Sequence, residues 1–261
     1  MKWCRFQSGD SAAYGIIEGD SVIEVTGSPF DSYTKTSKSH PLSSVKLLVP
    51  VNPIPTFYAA GINYPEHVTW AAKMRGEEPK LPKKADVGYR AVNALIANEE
   101  PIMVPKDATE QVQYEGELVV VIGKTCKNVS QAEALDYVLG YTIGNDVSER
   151  TWQRGDRTMW RAKNTDTFKP MGPWIVTGLE PDDMHVTITL SGRVVGEYDI
   201  SSALFGVREY ISDMSKYLTL VPGDVLWMGT DGATENMKDG DTVEVEISDI
   251  GVLRNKVVWQ R

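Results

Sequence analysis

The stretch 114–123, YEGELVVVIG, decides how the rest of the chain is read. Its apolar run LVVVIG at 118–123 reads as a buried strand and is far too short to span a bilayer. Glu115, Gly116 and Glu117 lead into that run. Side chains at i and i+2 of a strand point to the same face. Two carboxylates therefore stand side by side at the mouth of a buried strand, where they repel unless a cation or a proton lies between them. A hard cation with oxygen ligands, Mg²⁺ or Mn²⁺, is the natural solution. An isolated pair of this kind also fits a solvated strand edge. A third carboxylate, Asp146, lies in GYTIGNDVSER (140–150), directly after an apolar strand. Three carboxylates can hold an octahedral ion and leave positions open for substrate and water. Asp146 ahead of Ser148 fits a turn or a helix cap as well.

Outward from this stretch, strand signals dominate from 112 onward, as in HVTITLSGRVVGEYD and DTVEVEIS. Helical patterns are few, at 130–138 and 201–218, and strands do not alternate with helices. That pattern argues against a Rossmann-type sheet and for a β-rich α+β fold. The first ~45 residues alternate short apolar runs with Gly-Asp turns and read as a small β unit. Residues 31–45 are polar and Ser/Thr-rich and read as a loop or linker. The prolines of 46–64 predict extended, edge-like backbone with a turn at Gly61. Pro65 and Glu66 suit a helix start, and the segment then dissolves into the charged, Pro-containing EEPKLPKKADVGYR (77–90). The expected organisation is a small N-terminal β domain with its linker over 1–48 and a second domain over 49–261, in which about 65–90 has the composition of a lid or of a plain surface loop.

The chain has 261 residues, 27 basic and 36 acidic, for a net charge of −9; it is 41% hydrophobic and 24% charged. One large domain with a small appendage fits that length, which needs no disulfide or metal to fold. An acidic chain without a basic block excludes a nucleic-acid partner. Two distant cysteines, Cys4 and Cys126, fit a reducing compartment. The start MKWCRFQSGD has no apolar core of a signal peptide, so the expectation is a cytoplasmic protein with no membrane partner. Three histidines, His40, His67 and His185, argue against a zinc site of His and Cys, leaving carboxylates as metal ligands.

Five segments resemble the fumarylacetoacetate hydrolase superfamily, in its acylpyruvate hydrolase and 2-hydroxyhepta-2,4-diene-1,7-dioate isomerase-like branch. They are YEGELVVVIGK (114–124), GYTIGNDVSERTWQ (140–153), RAKNTDTFKPMGPWIVT (161–177), LTLVPGDVLWMGTDG (218–232) and IGVLRN (250–255). The resemblance covers roughly residues 55–261. It implies a mixed β-roll, mostly β, that forms a homodimer and uses Mg²⁺ or Mn²⁺. By the same resemblance Glu115, Glu117 and Asp146 are the metal ligands. His67, Lys163 and Gln153 are the implied catalytic groups, and Arg150, Arg90, Thr230, Asn63 and Tyr64 bind substrate. The implied substrate is a small 2-oxo or enol carboxylic acid, chelated through its 2-oxo and 1-carboxylate oxygens, with enolate charge stabilised by the metal and by Lys163.

Several positions depart from the family pattern. In hydrolytic members the His of the NYxxH segment pairs with a Glu three residues on; here that position is Trp70. Glu66 points elsewhere on a helix, and Glu77 and Glu78 reach His67 only if their loop folds over. Arg90 stands where a lysine is usual and suits bidentate grip of a distal carboxylate or a surface ion pair. Asp231 replaces a proline, and Glu149 and Asn164 replace small residues, which suggests extra polar groups near the pocket. Trp70, Tyr89, Trp152 and Trp160 read either as pocket walls or as ordinary core. The expectation is a hydrolase that cleaves a C–C bond in a β-diketo or 2-oxo acid. The alternative on the same platform is an isomerase, tautomerase or decarboxylase, and the loss of the Glu partner favours it. A non-catalytic metal-dependent binder is the reading from another class.

Overall fold

Gly116–Ile122 lies between two neighbours in a large mixed sheet and is buried at all seven positions. The computed structural model describes the chain from residue 1 to 261, except the side chains of residues 71, 74 and 75. The strand pairs antiparallel with Val138–Asn145 on one side and with Val225–Trp227 on the other. Leu118, Val120 and Ile122 enter one core with Val186, Ile188, Val243 and Val245. Val119 and Val121 enter another with Trp3, Phe57, Ile175 and Trp227. Cover on both faces explains why this strand is apolar at every position instead of alternating.

The second layer is a five-stranded sheet in the order Arg193–Asp199, His185–Leu190, Thr242–Ile247, Gly251–Trp259 and Ile102–Val104. Its inward residues Val186, Ile188 and Val245 alternate with less buried ones, the period-2 signature of a sheet covered on one face. Both sheets are mixed: Phe57–Ala60 runs parallel to Val225–Trp227, and Ile102–Val104 parallel to Gly251–Trp259. The fold is α+β and mostly β. Among the described residues no helix is long and apolar enough to cross a membrane.

The N-terminal strands Lys2–Ser8, Ser11–Glu18 and Ser21–Gly27 form a meander. Gly9 and Gly19 open its two tight turns at φ of 58° and 57°, a left-handed conformation that glycine adopts without a Cβ clash. Lys2 and Trp3 pair with Val176 and Ile175, so the meander extends the main sheet. Residues 31–45, expected as a loop, instead supply a fourth strand, Tyr33–Pro41, on the outer rim. A rim strand faces water and needs no apolar face, so its Ser/Thr/Lys composition hides it from a hydrophobicity reading. The helix expected over 130–138 is also absent. Ser130 donates to the Glu133 carboxylate at 2.6 Å, but only one 3₁₀ turn follows, Ala134–Tyr137. Gly123 N–H then binds the Tyr137 carbonyl at 2.8 Å, and the sheet takes over at Val138. The helix expected over 201–218 starts later, at Val207–Tyr217, because Leu204 and Phe205 are hydrogen-bonded to Asn63. The helix start expected at Pro65 is present as helix Pro65–Arg75, with Pro65 in its first turn, and the helix ends at Gly76 with φ 69°.

Candidate metal centre

Glu115 precedes Gly116–Ile122 by one residue and Glu117 lies within it. The strand pairing sets Gly116 opposite Asn145, which brings the next residue, Asp146, to the same end of the sheet. Asn145 Oδ1 accepts from Glu115 N–H at 3.0 Å, and Asp146 N–H donates to the Glu115 carbonyl at 2.8 Å. One oxygen from each of Glu115, Glu117 and Asp146 then lies within 4.8 Å of the others. All three residues are 3% exposed or less. Gly116 is required by packing: a Cβ there would meet Val245 Cγ1 at 2.8 Å.

The charges divide unevenly. Glu115 meets Lys163 Nζ in a short contact and Arg150 Nη1 at 2.7 Å. Burial opposes its ionisation, but Lys163 and Arg150 outweigh burial and hold its carboxyl at about 2. Asp146 receives Arg90 Nη2 at 2.9 Å, Lys163 Nζ at 3.0 Å and Lys169 Nζ at 2.6 Å. Against its burial, these three keep it well below the usual carboxylate range. Among the described residues Glu117 has a single hydrogen bond, from Gly229 N–H at 2.8 Å. Burial, then repulsion by Asp146 and Glu115, pushes it up to about 8. A divalent cation among the three carboxylates would relieve that repulsion, and an all-oxygen donor set suits a hard ion. The residues present fit such an ion.

Lys169 was not foreseen. It sits within TDTFKPMGP, begins the buried strand Lys169–Val176 and is pushed down to about 8, chiefly by burial. The available signal was a lone charge at the head of an otherwise apolar strand.

His67, on the lid helix, faces the Thr230 carbonyl through Nδ1 at 3.2 Å. A carbonyl only accepts, so Nδ1 carries the proton and Nε2 keeps its lone pair. Burial lowers the His67 pKa, against the pull of Glu115. Trp70 meets the imidazole edge-on at 5.5 Å, and the Arg150 guanidinium lies over the Trp70 ring, also at 5.5 Å. Gln153 accepts from Arg150 Nη1 at 2.8 Å and Gln113 from its Nε at 2.7 Å, while Nη2 is buried without a partner. Asn63 spends its amide on the backbone of Phe205 and Met228. Tyr64 is fully buried against Tyr198, its hydroxyl unpartnered. Thr230 is buried and accepts from Gly232 N–H at 3.4 Å.

Two of the expected polar extras have structural duties. Glu149 caps helix Arg150–Gly155 and binds Thr109 N–H at 3.2 Å. Asn164 accepts from Ala91 N–H at 2.7 Å and so fixes the loop that carries Arg90. That loop borders an open cleft of about 680 Å³ lined by Tyr89, Arg90, Asn93, Trp160 and Asn164. Tyr89 and Trp160 are exposed there, whereas Trp152 is core, covered by Arg161 at 4.8 Å.

Residues 56–258 match the fumarylacetoacetate (FAA) hydrolase C-terminal family model, and residues 1–50 match the Rv2993c-like, N-terminal one. The chain is 37% identical to Protein Rv2993c of Mycobacterium tuberculosis, over 99% of this chain and 98% of that protein. It is 34% identical to the 2,4-didehydro-3-deoxy-L-rhamnonate hydrolase of a Sphingomonas species, over 98% and 96%. The crystal structure of 5-carboxymethyl-2-hydroxymuconate delta-isomerase from Mycobacterium smegmatis superposes with a TM-score of 0.89 at 38% identity, covering 100% of both chains. With the family fold and an acidic triad placed where a metal can sit, this chain is an enzyme that belongs to the fumarylacetoacetate hydrolase superfamily.

Proposed function

We propose that the chain is a Mg²⁺- or Mn²⁺-dependent hydrolase that cleaves a C–C bond in a β-diketo or 2-oxo acid. The observation that carries this reading is the buried triad Glu115, Glu117 and Asp146 with a neutral imidazole within its electrostatic reach. When bound, the cation supplies Lewis-acid stabilisation of the enolate charge that develops on a 2-oxo acid. Arg150 Nη2, buried and unpaired, offers a donor to the substrate carboxylate. Gln113 and Gln153 hold the guanidinium in place for that contact. Lys163 adds a positive group where oxyanion charge appears. His67 Nε2 takes a proton from the attacking water, with the tautomer set by Thr230.

A specific observation favours isomerisation or decarboxylation on the same site. His67 leans on a neutral carbonyl, which stabilises an imidazolium less than a carboxylate does. Product analysis on an acylpyruvate separates the two. Pyruvate plus a carboxylic acid supports hydrolysis; a shifted ultraviolet spectrum without cleavage, or CO₂ release, removes it. The same proposal includes a cytoplasmic homodimer, to be checked by light scattering for twice the 28.9 kDa chain mass.

A further inference from the structure

Among the buried cations of the described residues, Lys169 is the one that the proposed reaction leaves without a task. Its side chain is 0% exposed, so neither substrate nor solvent reaches it. Its ammonium has three donors and meets three acceptors: the Val147 carbonyl at 2.9 Å, the Phe168 carbonyl at 2.9 Å and Asp146 Oδ1 at 2.6 Å. No N–H remains for a ligand. The other Asp146 oxygen, Oδ2, is met by Lys163 Nζ and Arg90 Nη2 at 3.0 and 2.9 Å, and Arg90 Nε lies at 3.3 Å from Oδ1 and 3.2 Å from Oδ2. Arg90 reaches Asp146 from the side that borders open space. Lys169 reaches it from inside the fold, anchored by two carbonyls, one on the Asp146 turn and one at the head of its own strand.

We propose that Lys169 is a positioning residue for the metal: it grips Asp146 Oδ1 from the interior and so would hold the Asp146 carboxylate in one fixed orientation toward the cation. The inference rests on the metal-dependent reading above. It requires a hydrogen-bond donor at this position. Its positive charge alone would repel a divalent ion, so a charge effect and a positioning effect have opposite signs.

The test is equilibrium Mn²⁺ binding to the full-length protein, read from the electron paramagnetic resonance signal of free Mn²⁺, with circular dichroism to confirm folding. Lys169→Met should weaken binding by roughly 10–100-fold, the usual cost of losing a partner behind a metal ligand. Lys169→Gln keeps an N–H donor and should bind Mn²⁺ more tightly than Lys169→Met. If Lys169→Met does not fold, Lys169→Cys, which is smaller and cannot reach Asp146, is read in the same way. A folded Met or Cys variant that binds within about threefold of the wild type, or more tightly, overturns the proposal. So does a Gln variant no better than Met. Wild-type protein that binds no Mn²⁺ removes the metal reading itself, an outcome distinct from the other two.

Discussion

Burial pushes His67 and Glu117 in opposite directions on the pH scale, yet leaves both neutral near pH 7. The imidazole is lowered by loss of solvent, and the carboxyl is raised to about 8 by the same loss and by its acidic neighbours. A neutral His67 can accept a proton, so His67→Ala should slow hydrolysis roughly 10²-fold. A fall of less than about threefold in kcat would mean that it is not the base. For Glu117 the native state holds a proton that the unfolded chain has lost. The metal-free protein therefore loses stability through this group as pH rises from 4.5 towards about 8. Glu117→Gln should flatten that fall, and denaturation of both proteins between pH 5 and 8 shows it as a difference that moves steadily in favour of the variant as pH rises. Parallel curves would refute the raised carboxyl. Glu115 and Glu117 stood out because strand geometry converts their spacing into one shared face, and Asp146 because it follows an apolar strand and matches the family resemblance. Lys169 did not, since only the fold shows that a strand begins there. Glu149 was legible as an unusual group but not as a cap, because capping depends on where the helix starts.

At the level of elements, the glycine between the two glutamates is a contact point between sheets. Gly116 packs against Val245 and Ile188 on the facing layer, and Tyr198 Oη donates to its carbonyl at 2.7 Å. Gly116→Ala should cost about 1–3 kcal/mol by overpacking and shift both ligands that flank it. Urea unfolding measures the first effect and Mn²⁺-dependent turnover the second. A loss below about 0.5 kcal/mol would mean that the layers have slack there. Elements whose apolar pattern meets a core were readable in advance, as at 118–122 and the second half of 201–218; the helix start at 65 was read from Pro65 and Glu66 instead. Elements defined by partners were not readable. Residues 130–138 look helical locally, but pairing of Val138 with Ile122 and the bond from Gly123 to Tyr137 draw the segment into the sheet.

For the whole molecule, the N-terminal meander and the strand Gly116–Ile122 share one core. Trp3, Ile16 and Val25 pack in the cluster that contains Val119, Val121 and Trp227. Deleting residues 1–48 should therefore leave that face bare and abolish cooperative unfolding of the remainder, as followed by calorimetry. A truncated protein with a sharp transition near that of the full chain would show two independent units. The charge count of −9 spoke against nucleic acid, but it concealed the convergence of Arg90, Arg150, Lys163 and Lys169 on two carboxylates, Glu115 and Asp146, which only folding assembles. The main sheet is open, running from Tyr33–Pro41 at one rim to Val87–Tyr89 at the other. An open sheet invites a neighbouring molecule to add its own strand. At the N-terminal rim such growth would strip water from Lys35 and Lys38, which are 48% and 65% exposed, and it would end at Pro41, which has no N–H to offer. Fibre-like stacking through that rim is thereby discouraged, and a closed symmetric assembly has to be built on another face of the molecule.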